Sequence, residues 1–204
     1  MFKNMTIKTK LVLLVTLPMI VVTVAGLIIM GNKFLESQDM KKLEKGVLLS
    51  TKISEIVHET QKERGFTAGF LGSKGKKFTS ELPQQRNNLN KKIQSFNKFL
   101  NSVELEDLGK KVNRELHSAL NELKDIDSQR NSVDSFSISN GMAIGYYTNM
   151  NSKFLSTITE ISKISNNPDI TKMLLAYNNF LFSKEKAGIE RAVGTGVLAN
   201  DKYK

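Results

Sequence analysis

The sequence predicts an all-α protein, an up-and-down antiparallel helical bundle preceded by one membrane-spanning helix. Apolar residues recur at spacings of 3, 4 and 7 from one end of the soluble part to the other. Only three prolines, Pro18, Pro83 and Pro168, interrupt 204 residues, and no alternating apolar run suggests a strand. The stretch from Leu11 to Asn32 carries no charge and has the length of a membrane helix, for which about 20 apolar residues are needed.

That first run is an uncleaved anchor at 11–32 behind a basic tail at 1–10. A cleaved leader would have a shorter apolar region, of roughly 7 to 15 residues, closed by an Ala-x-Ala-like site. Pro18 and Gly26 are tolerated in membrane helices. Lys3, Lys8 and Lys10 precede the run and Lys33, Lys41 and Lys42 follow it, so the cation count alone does not orient it. The short, purely basic tail reads as the cytoplasmic end. The expected location is the cell inner membrane, with the remainder, 33–204, periplasmic.

The soluble part opens on a helix continuing from the anchor to about Leu71, with a stripe of Leu43, Val47, Ile53, Ile56, Val57 and Leu71, and Ser73-Lys74-Gly75 stops it. A second helix begins near Leu82, with Pro83 in its first turn, where a missing amide costs least. Leu89, Ile93, Phe96 and Leu100 continue that stripe, and Asn101–Asp107 is a loop. The third helix carries Leu108, Val112, Leu116, Ala119, Leu123 and Ile126, followed by a Ser-rich stretch that is either a turn or more helix. The fourth carries Tyr147, Met150, Phe154, Ile158, Ile161 and Ile164 and ends at Asn166-Asn167-Pro168. Asp169 is the expected N-cap of the fifth. The chain stops at Lys204 with an apolar face unpaired, so the expectation is a fragment of a longer protein.

Net charge is +10, yet lysines alternate with acids along the whole chain and form no stripe of the kind nucleic acid selects. There is no cysteine, hence no disulfide and no thiolate chemistry. His58 and His117 lie far apart without converging carboxylates, so no metal site is expected. Serines lack a paired His and Asp, and no glycine-rich phosphate loop is present. The reading is of a protein that is not an enzyme and takes no cofactor.

Two arginines occupy positions where an apolar residue would be expected, each beside small residues: Arg64 in Lys62-Glu63-Arg64-Gly65 and Arg191 in Ile189-Glu190-Arg191-Ala192. At roughly 100° per residue, Ile53, Val57, Thr60, Arg64, Ala68 and Leu71 share one face of the first helix. Met173, Tyr177, Phe180, Ala187, Arg191 and Leu198 share one face of the fifth. A buried guanidinium stays charged and needs a partner. If the two meet, two planar forks face one small oxyanion. The competing readings are a sensor for another small anion and a non-sensing helical scaffold in which Glu63 and Glu190 pair crosswise with the arginines as internal salt bridges. Such pairing suggests a further step, in which an anion displaces such a carboxylate and moves a helix.

The words HETQKERGFTAGFLGSKG, Gln85-Arg86, Arg130-Asn131-Ser132-Val133-Asp134, Tyr146-Tyr147 and LLAYNNFLFSKEKAGIERA resemble the NIT domain, the nitrate- and nitrite-sensing domain of bacterial signalling proteins. The resemblance spans roughly Val47 to Ala199. It implies a helical sensor of two packed antiparallel bundles, the second truncated in this chain, that binds nitrate or nitrite between helices, with Arg64 and Arg191 as the ligand-binding residues. With the membrane anchor, it implies a receptor, most simply a chemoreceptor, with a downstream signalling module. Related receptors work as homodimers, although no heptad seam in this chain shows it. Where the family often has Thr-Asp after Gln-Arg, this chain has Leu89 and Asn90.

Overall fold

A computed structural model describes residues 6–165 and 167–200. Lys3 of the basic tail, Asn166 of the stop signal and residues 201–204 lie outside them. The described residues are mostly helical, without strands: α1 Ile7–Gly72, α2 Glu81–Ser102, a single 3-10 turn Glu106–Leu108, α3 Lys110–Lys124, α4 Ile126–Asp134, α5 Asn140–Ile161 and α6 Pro168–Ala199. The chain divides into two compact units at 42/43.

The first unit is the N-terminal part of α1. By length and composition this helix can cross a membrane. Its apolar side chains, among them Leu14, Val22 and Met30, are exposed.

The second unit is the bundle. The partners of α1 set its topology. Gly46 meets Ile161, Thr60 bonds Asn151, and Asn140 reaches the Ala68 carbonyl, so α5 runs antiparallel to α1. Glu59 with Gln85 and Glu55 with Lys92 make α2 antiparallel as well. Against α6 the order is the reverse. His58 meets Lys184, Arg64 meets Glu185 and Gly188, and Gly72 meets Gly196, so α1 and α6 are parallel neighbours. The core between them is built from Leu49, Ile53, Ile56 and Val57 of α1, Leu89 and Phe96 of α2, the α3 stripe, and Tyr147, Met150, Phe154 and Ile158 of α5. Phe96 and Phe154 make an edge contact at 6.0 Å between centroids.

Three local expectations change. The third helix is interrupted at Asp125 and restarts as α4, which takes in the Ser-rich stretch only as far as Asp134 before it turns. The cap of α6 is Asn167, whose side chain accepts from the amides of Asp169 and Ile170, and Asp169 itself lies in the first turn. Asn167 sits directly before Pro168, which occupies the opening position of the helix, and that places the acceptor one turn below the free amides. The third change concerns the buried face of α6. Met173 (72%), Phe180 (65%) and Leu198 (61%) are exposed, and Leu181, Glu185, Gly188, Ala192, Gly196 and Ala199 face inward. The small residues are inside because α6 lies so close to α1 that only they fit. A Cβ built on Gly72 would fall 2.3 Å from the Gly196 carbonyl oxygen.

Candidate functional site

Glu63 and Arg64 are adjacent in α1 and both are fully buried. Each is compensated, but by different helices. Glu63 accepts from Arg130 Nε at 2.7 Å, from Arg130 Nη2 at 2.8 Å and from the Tyr147 hydroxyl at 2.7 Å. Asn90 accepts from Arg130 Nη1 at 2.7 Å. Burial alone would lower the Arg130 pKa, but the paired bonds to Glu63 carry it above the ordinary arginine value. Burial, reinforced by the neighbouring Glu63 carboxylate, holds the Tyr147 phenol well above its usual range. The group is a satisfied internal ion pair.

Arg64 points the other way. Its Nη1 donates to Glu185 Oε1 and, at 3.0 Å, to Thr148 Oγ1, and its Nη2 donates to Glu185 Oε2 at 3.4 Å. Glu185 is itself buried and accepts from Gln61 Nε2 at 2.7 Å and Asn151 Nδ2 at 3.3 Å. The crosswise pairing of Glu63 and Glu190 with the two arginines therefore does not form. Glu63 belongs to Arg130, Glu190 is exposed, and the counter-ion of Arg64 is Glu185. Arg64 Nε is buried without a hydrogen-bond partner among the described residues.

Arg191 is not on the buried face. It is exposed and lines a cleft of about 380 Å³ between α1 and α6, together with His58, Gln61, Lys62, Gly65, Phe66, Phe78, Lys184, Gly188, Ala192 and Thr195. Arg191 thus lies on the wall of the cleft, whereas Arg64 is not part of the lining and approaches it at Gly188. A Cβ there would come within 2.8 Å of Arg64 Nη2, so the glycine's lack of a side chain lets the guanidinium come this close. Phe78 closes one end, packed on Gly69 and 5.5 Å from the Phe66 ring.

The cleft has an excess of positive charge. Lys62 is tied to Glu59 at 3.0 Å, whereas Lys184 and Arg191 make no carboxylate ion pair among the described residues. Lys184 Nζ lies 3.0 Å from His58 Nδ1. Burial, then Lys62 and Arg191, lowers the Lys184 pKa. Burial, then the charges of Lys184 and Lys62, lowers that of His58, with Glu59 acting in the opposite sense. Such a set repels a metal cation and favours an anion. His58 was not singled out as a ligand group by the sequence. It becomes one only through α6, whose register brings Lys184 beside it.

The lowered His58 value carries a sign. The folded chain holds the imidazole proton less readily than the unfolded chain, whose ordinary value is about 6.5. The resulting stability is present above that value and is lost as pH falls through the lower folded value. His58→Gln is therefore expected to flatten the acid-side decline. Urea midpoints for both proteins between about pH 7.5 and 5 check this, and parallel profiles would exclude it.

The fold and this cleft define an all-α bundle with a cationic crevice between two parallel helices. The chain belongs to the NIT family, described as nitrate and nitrite sensing, whose family model matches residues 55–204. No curated protein matches the chain. A solved structure of the NasR transcription antiterminator is similar, with a TM-score of 0.77 and 22% identity over 85% of this chain. The match covers 47% of that structure, so this chain spans about half its length. At that identity the likeness concerns the fold.

Proposed function

We propose that the chain is the ligand-binding sensory region of a membrane-bound receptor for nitrate or nitrite, with Arg64 and Arg191 as the residues that recognise the anion. The observation that carries this is the charge of Arg191 and Lys184, without a carboxylate partner among the described residues, in a cleft lined by Gly65 and Gly188, with Arg64 Nη2 against Gly188. Membership of a nitrate- and nitrite-sensing family supports the choice of ligand. A planar, three-oxygen anion suits guanidinium forks, which donate in a plane.

In this reading residues 1–10 are a cytoplasmic tail, 11–32 span the inner membrane, and 33–204 form the periplasmic sensory part of a homodimeric chemoreceptor. The helix that carries Arg64 also contains the apolar run. A ligand-dependent shift between α1 and α6 thereby has a covalent route toward the membrane, provided that the anion binds two states unequally.

The test is calorimetry of sodium nitrate on the full chain in detergent. A hydrogen bond to a charged group is worth about 1.5–3 kcal/mol, so Arg191→Ala should weaken binding by roughly 10- to 100-fold. Full nitrate heat in an Arg64→Ala, Arg191→Ala double variant would defeat the assignment. A second reading, a carboxylate-bearing ligand, is favoured by one feature, the apolar wall of Phe66 and Phe78 in a cleft larger than nitrate needs. Displacement of nitrate by benzoate would support it.

A further inference from the structure

Arg64 is already occupied. Its fork holds Glu185, and the same carboxylate is seated by Gln61 and Asn151. Thr148 takes the remaining direction of Nη1. The side chain has no exposed surface and is not part of the cleft lining, which it approaches at Gly188. An anion entering the cleft therefore meets Arg191, Lys184 and His58 first and reaches Arg64 only when Glu185 withdraws.

Resting on the nitrate reading, we propose that Glu185 is the affinity-setting residue of the site, a resident carboxylate that stands in for the ligand on Arg64 and is displaced by it. Glu185 lies one turn before Gly188 and two turns before Arg191 on α6, so its release and the approach of the ligand involve the same stretch of one helix. Gln61 forms the hinge of the exchange, because it both lines the cleft and donates to Glu185. The charge count favours the exchange. A monovalent oxyanion replaces a monovalent carboxylate on Arg64, and the freed carboxylate moves toward Lys184 and Lys62, which already influence this region. The arrangement keeps Arg64 paired in the free protein, which a buried guanidinium requires. It also makes the ligand compete with a tethered group, so the observed affinity is lower than the bare site would give.

The test compares Glu185→Gln with the parent chain in detergent, titrated with sodium nitrate. The amide keeps the shape and a contact for Gln61 but removes the competing charge. Nitrate should bind about tenfold more tightly or better, equal to about 1.4 kcal/mol. It should also raise the thermal midpoint by more than it does in the parent, since only the variant leaves Arg64 without a counter-ion. Equal or weaker nitrate binding in Glu185→Gln, with the parent binding normally, would overturn the proposal and leave the nitrate reading standing. No binding to the parent would sink that reading instead. Should the variant fail to fold, the parent serves. The guanidinium resonances of Arg64 must shift as nitrate saturates, and resonances that stay fixed at saturation exclude displacement of Glu185.

Discussion

Replacing Glu63 with alanine is expected to lower the stability of the bundle by about 3–5 kcal/mol, the cost of leaving a buried cation without its partner. Glu63 has no exposed surface, and three donors from Arg130 and Tyr147 converge on it. Arg86 Nε stands 3.9 Å from it, and neither that nitrogen nor Nη2 has a hydrogen-bond partner among the described residues. Without the carboxylate, Arg130 keeps only Asn90 and the exposed Asp127, and Arg86 keeps only Asp134. For a domain of this size each 1 kcal/mol shifts the thermal midpoint by roughly 2–4 °C, so a fall of about 6–20 °C is expected. A paired replacement, Glu63→Leu with Arg130→Met, removes both charges and should cost less than Glu63→Ala alone, because apolar substitutes for a buried pair are often neutral or better. Thermal unfolding of the three proteins in the same detergent decides this. A double variant as unstable as Glu63→Ala, or more so, would mean that the network stabilises the fold in its own right.

The same turn of α1 shows why the sequence gives up one half of the site more readily than the other. Arg64 lies among Ile53, Val57, Thr60 and Ala68 at spacings of 3 and 4, and all of these are buried, so periodicity alone places it inside. Arg191 lies among Met173, Phe180 and Leu198 at equally good spacings, and that face points outward. The rule that large apolar residues mark the inner face fails on α6 because close helix approach selects for small ones. The run Gly188, Ala192, Gly196, Ala199 repeats at 4, 4 and 3 and is the buried stripe, and Leu181 and Glu185 extend it backward. Read this way, the sequence would have offered Glu185 as a buried acid in need of a cation. The partner of Glu63 was harder to find, since Arg130 lies beyond a helix break at Asp125 that no proline or glycine marks. The overall helical order was legible because α2, α3, α5 and the part of α1 from Leu49 onward carry most of their large apolar residues inward.

That close approach leads to the last expectation, Gly72→Ala. Helix propensity on its own predicts a gain, since glycine in a helix interior costs roughly 1 kcal/mol relative to alanine, and less at an end. Packing predicts the reverse. The added Cβ would lie 2.3 Å from the Gly196 carbonyl oxygen and 3.1 Å from its Cα, and these are backbone atoms that cannot rotate away. Relief requires α6 to move off α1, and overpacking of this kind costs about 1–3 kcal/mol, so the net effect is destabilising. The movement has a functional consequence, because Gly72 and Gly196 lie only a few turns from the cleft that the same two helices enclose. Widening the pair at that end withdraws Gly188 and Arg191 from α1, and nitrate should bind more weakly although no residue lining the cleft has changed. Urea denaturation and nitrate calorimetry on Gly72→Ala test both parts. A variant more stable than the parent would show that the helices yield at no cost. Lost stability with unchanged nitrate affinity would show that the contact holds the bundle together without setting the width of the cleft.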